Sequence, residues 1–144
     1  MQKDFINNHK ITQVIAPAVQ TIDVDGTSVD MRGYHDVTFI GLVGAEGDTL
    51  SGSVMIELEV EESDDDSTFT DVADDELQGY VAGTNDGCFA VIDANGEAPS
   101  VHKATYHGNA RYVRPVINLT GTHTNGTIIG VIAIQHGAQY LPVS

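Results

Sequence analysis

The chain has 144 residues and carries 21 Asp and Glu against 6 Lys and Arg, a formal net charge of −15. That length fits one domain, large enough to bury roughly 68–70% of its unfolded surface without metal or disulfide support. The single cysteine, Cys88, rules out an internal disulfide framework, and the scarcity of basic residues argues against nucleic acid or an anionic membrane as partner.

The first zone is residues 1–18, "MQKDFINNHKITQVIAPA". It has no clear period, and it reads as an extended N-terminal arm ending at Pro17. Phe5, Ile6, Ile11, Val14 and Ile15 are too apolar to sit in water without a partner, so they are expected to make subunit or shell contacts. No apolar run flanked by basic residues occurs in the first twenty positions, so no signal peptide is expected. No segment approaches the ~20 apolar residues of a membrane helix.

From residue 19 to 144 the sequence reads as one β domain. "VQTIDVD" (19–25) precedes a turn at Asp25-Gly26, and "DVTFIGLVG" (36–44) is a second strand. "SVMIELEVE" (53–61) alternates cleanly: Val54, Ile56, Leu58 and Val60 face one way, Met55, Glu57, Glu59 and Glu61 the other. That pattern predicts an antiparallel strand with one wet face. It runs into "EESDDDSTFTD" (61–71), whose Asp and Ser residues favour side-chain-capped turns; Phe69 is expected to return to the core. Residues 69–79 can hold one helical turn ended by Gly79. "CFAVID" (88–93) leads to Asn95-Gly96, a hairpin signal. In "RYVRPVINL" (111–119), Val113, Ile117 and Leu119 share a buried side, and Pro115 predicts an edge strand or a bulge. Arg114 lies on the opposite face, where it pairs with acidic residues or reaches a subunit contact. "TIIGVIAIQH" (127–136) is apolar on both faces, as for a central strand or one covered by another subunit; Ile129 and Val131 are its candidate contacts. Fifteen glycines and regular turn signals predict an all-β, antiparallel β-sandwich of jelly-roll type.

Chemistry is sparse. "DVDGTSVD" (23–30) places its Gly too early for a calcium loop and lacks the closing Glu, and "SDDDST" has no Gly at all. The six histidines (His9, His35, His102, His107, His123 and His136) show no zinc spacing. Cys88 opens an apolar strand and reads as a buried, inert thiol. No nucleophile elbow, P-loop or dinucleotide fingerprint is present. The chain is therefore expected to be no enzyme and to need no metal or cofactor.

Three stretches, "APAVQTIDVDGTSVDMRGYHDVTFIGLVG" (16–44), "ELEVEESDDDSTFTDV" (57–72) and "GNARYVRPVINLTGTHTNGTIIGVIAIQH" (108–136), resemble a family of small phage head-associated virion proteins. The resemblance implies a capsid decoration (cement) protein, a homotrimer seated on the outer surface of the head with the major capsid protein as partner. A neck, tail-completion or other tail protein is the alternative within the virion. A calcium- or carbohydrate-dependent receptor-binding module is the alternative outside that class. The stretch "DANGEAPSVHKATYH" (93–107) reads as insertion-like against this pattern.

Overall fold

The computed structural model describes residues 4–141. Two antiparallel sheets pack face to face. One has five strands in the order β1 (Lys10–Gln20), β11 (Thr127–His136), β4 (Asp36–Val43), β9 (Ser100–Tyr106) and β7 (Leu77–Gln78). The other centres on β10 (Tyr112–Thr120) and β5 (Met55–Ser63). Beside β10 lie the short β2 (Val24–Asp25) and β3 (Val29–Asp30). Beside β5 lie β8 (Cys88–Ile92) and β6 (Thr70–Asp71).

Taking β2 and β3 as one interrupted strand and leaving aside the two-residue β6 and β7, eight strands remain in chain order. They alternate as first–eighth–third–sixth in one sheet and second–seventh–fourth–fifth in the other. This is the jelly-roll order, two Greek keys closed on each other, and the expected fold class holds.

The core lies between the sheets. Phe39, Ile56, Leu58, Tyr106, Ile117 and Ile129 are each at most 1% exposed, and each such burial contributes about 1.5–3 kcal/mol. Gly41 sets how closely the sheets approach, because a Cβ there would stand 2.5 Å from a methyl of Leu58. Tyr106 also ties the layers with its hydroxyl, which donates to Glu62 of β5 at 2.5 Å and accepts from the Ala110 N–H at 2.9 Å.

Several local expectations change. The N-terminal segment is not a free arm across 1–18. After a single helical turn, α1 (Phe5–Asn8), capped by Asp4, residues from Lys10 onward pair with β11 as the edge strand β1. The boundary expected at 18/19 falls inside that strand; residues 1–3 and 142–144 lie outside the described residues. Asn95-Gly96 does not make a hairpin, because β8 and β9 belong to opposite sheets. The insertion-like stretch supplies β9, a full member of the first sheet. Phe69 is only half-buried and lies under the Arg114 guanidinium, 4.1 Å from its ring centroid.

Pro115 sits in an interior strand, not an edge. Its carbonyl accepts from the Gly26 N–H at 2.8 Å, on the side of β10 where β2 and β3 break apart. The missing proline N–H points at the same gap, so no ladder bond is lost. Gly26 is required there, since a Cβ would meet the Pro115 carbonyl at 2.7 Å.

Candidate functional site

The acidic hairpin tip is not a built ion site. Asp65 accepts from the Ser67 and Thr68 N–H groups at 2.9 and 2.8 Å and from the Ser63 hydroxyl at 3.0 Å. These bonds hold its carboxyl below the usual range. Asp66 accepts from Ser28 at 2.5 Å. Asp48 does the same work elsewhere, gathering the N–H groups of Thr124, Asn125 and Gly126. These carboxylates serve as turn caps, as the Asx-turn reading anticipates.

Two other surfaces stand out, one on the outside of each sheet. On the first sheet, outward side chains from β1, β4, β9 and β11 form an apolar face. Ile11, Val19, Leu42, Val101 and Ile128 are 46–66% exposed on it. The register puts Leu42 opposite Val101 on one side and Gly130 on the other, and Ile128 opposite Val19. Between them Pro17 covers Gly130, leaving a shallow depression of about 380 Å³. Among the outward positions of β4, β9 and β11 the carboxylate is Asp36, at the far end beside His136. In a chain of net charge −15, this face is a gap in the charged coat.

The expected contact residues divide on this geometry. Phe5, Ile6 and Ile11 are 50%, 81% and 54% exposed and remain available. Val14, Ile15, Ile129 and Val131 point between the sheets, at 4% exposure or less. They are core residues of the chain and cannot form the contact expected of them. The outward residues of β11 are instead Ile128, Ile132 and Ile134, the alternate set of the same strand. Arg114 is also engaged internally, bonded to Glu61 at 2.7 Å and Asp25 at 3.1 Å. Arg114→Met is expected to lower stability by about 2 kcal/mol in urea unfolding, because Glu61 is left half-buried without its cation.

The outside of the second sheet departs from the wet face expected for β5. Glu57 and Glu59 are only 7% and 3% exposed. They lie between β10 and β8, and residues 79–87 fold back beside them. The Val81 N–H bonds to the Cys88 carbonyl at 2.8 Å, and the Gly87 carbonyl accepts from the Val60 N–H at 2.9 Å. Asn118 donates to Glu59, and Asn85 reaches its other oxygen at 3.4 Å. Burial, with the charges of Asp71, Glu57 and Glu61 adding to it, pushes the Glu59 carboxyl up to about 7. Burial likewise raises the Cys88 thiol. The alternation of β5 is thus correct in phase but misleading about solvent.

No protein-family model matches the chain, and no curated protein does. Among solved structures, the crystal structure of SPBc2 prophage-derived protein YomS is a neighbour at a TM-score of 0.42 and 14% identity, over 88% of this chain and 93% of that one.

Proposed function

We propose that this chain is a phage capsid decoration protein, a homotrimer that binds the major capsid protein on the outside of the head and stabilises the shell. The observation that carries the reading is the apolar outer face of the first sheet. Its exposed Leu42, Val101 and Ile128 need a cover, and with Asp36 at the far end as the carboxylate of β4, β9 and β11 a second copy can approach a protein of net charge −15 with little close repulsion. The jelly-roll body supplies rigidity. Phe5 and Ile6, exposed on α1 at the end of edge strand β1, supply a grip on a neighbouring subunit. Many weak contacts of this kind, repeated over a lattice, add to large avidity. The sequence resemblance to head-associated proteins points the same way.

Three measurements test the proposal. Sedimentation of the purified protein should give the mass of a trimer. Addition to expanded, undecorated capsids of the encoding phage should give saturable binding and greater resistance to heat. In mature virions the protein should be present in proportion to the major capsid protein. A few copies per particle would place it at the neck or tail instead, and its absence from virions would end the reading.

A further inference from the structure

The buried acids of β5 have a third neighbour. Oxygen atoms of Glu57 and Glu59 and the sulfur of Cys88 all lie within 4.8 Å of one another. All three residues are buried, Cys88 completely. Glu57 is 93% buried by its 7% exposure, yet its carboxylate takes no hydrogen bond and no ion pair among the described residues. Arg114, on the neighbouring strand β10, is already bound to Glu61 and Asp25. Two carboxylates and a thiol packed together without a cation are a costly arrangement, and a Glu57 oxygen lies within this group without a side-chain or backbone donor among the described residues.

We infer that Glu57, Glu59 and Cys88 form a binding site for one thiophilic divalent metal ion of the zinc type. The donor set decides the class. Calcium and magnesium prefer all-oxygen shells, calcium with six to eight ligands, whereas a thiolate with two carboxylates suits zinc or cadmium. In a tetrahedral zinc site neighbouring donor atoms stand about 3.5 Å apart, as bond lengths near 2.0–2.3 Å require. The present donor atoms lie within 4.8 Å of one another, so reaching that value requires shifts of little more than an ångström at most. The Asn118 amide already orients Glu59, as an outer-shell partner does at metal sites. Three protein donors leave a fourth position for water. Binding loses the Cys88 proton to solvent and joins β5 to β8, which meet here at a register shift opposite Cys88. The ion enters past residues 79–87, which are exposed at Ala82–Asp86. The site stands apart from the apolar face and does not depend on the decoration role.

The test uses the full chain, reduced and treated with chelator. Cadmium is the spectroscopic probe, since Cys88 is the single cysteine and any sulfur-to-metal charge-transfer band must report it. The expected result is a band that saturates at one equivalent and is bleached by competing zinc. Zinc should also raise the thermal midpoint, while calcium leaves both readouts unmoved. Cys88→Ser should abolish the band. The near-isosteric Glu57→Gln should keep the band, fold normally by circular dichroism, and weaken cadmium affinity at least ~10-fold. Absence of the band in the wild-type chain overturns the inference. So does unchanged affinity in folded Glu57→Gln, which alone decides the matter should Cys88→Ser fail to fold.

Discussion

Replacing Leu42 and Ile128 together by glutamate should yield a folded monomer in place of the proposed trimer, with self-association weakened at least ~100-fold. Both side chains are about half exposed in the protomer, at 46% and 53%. Substitution there leaves the core untouched, so unfolding free energy should move by no more than about 0.5 kcal/mol. In an interface the same glutamates would be buried unpaired, facing each other across a chain that already carries net charge −15. A 100-fold loss corresponds to about 2.7 kcal/mol, modest against the desolvation cost of even one such group. The neighbouring positions make the contrast sharp. Ile129 is fully buried between the sheets, so Ile129→Ala should cost about 2–5 kcal/mol of stability and leave association of the folded fraction intact. Sedimentation and urea unfolding on the two variants separate the faces of one strand. A double glutamate variant that still sediments as the wild type would remove the apolar face from the proposed function.

The strands of period two were largely legible, and their failures have identifiable causes. β4, β5, β10 and β11 lie within two residues of where alternation and turn residues put them. β1 was obscured because register shifts between Gln13 and Ile15 and between Ile15 and Ala18 break its alternation. Val14 and Ile15, adjacent in sequence, are consequently both buried, a pattern that reads as an irregular arm. β9 was hidden because its inward His102, Ala104 and Tyr106 and outward Val101, Lys103 and Thr105 mix polar and apolar residues on both faces. The Arg114 ion pair was foreseeable from an arginine facing acidic neighbours; which strand it faced was not. Burial of Glu57 and Glu59 was beyond reach for a different reason. Alternation tells which face a side chain takes, not what covers that face. The cover here comes from residues 79–87, some twenty positions downstream, and nothing local to β5 announces that Cys88 will register opposite Glu59.

Relative to Glu59→Gln, the metal-free protein should become more stable on acidification from pH 8 to about pH 5, by about 2 kcal/mol. The direction follows from Glu59, whose folded carboxyl titrates near 7 against an ordinary 4.5. Between those values the folded chain holds a proton that the unfolded chain has released, so stability falls as pH rises through this window and levels off above it. The full linkage would be about 3 kcal/mol; screening of the more exposed neighbours Glu61 and Asp71 reduces it. The groups facing Glu59 are Glu57 and Glu61 on its own strand, Asp71 on β6, Cys88 on β8 and the already paired Arg114 on β10. Asp30, Asp48 and Asp65 act in the opposite sense. Their folded carboxyls are held below 3.8 by the Arg111 side chain at Asp30 and by backbone N–H groups at the other two, so their contribution is intact above that value and lost as pH falls beneath it. Burial also lowers the His102 and His136 imidazoles below 6.5, so acidification through that region costs stability at these two and offsets part of the Glu59 gain; urea unfolding of wild type and Glu59→Gln across the range separates the contributions. Glu59→Gln fixes the protonated shape, so it should remove the Glu59 component above pH 5 and leave the acid limb as it is. Parallel wild-type and Glu59→Gln profiles from pH 5 to 8 would mean that Glu59 is ionised at ordinary cost, and the cover formed by residues 79–87 would then admit water freely to both carboxylates.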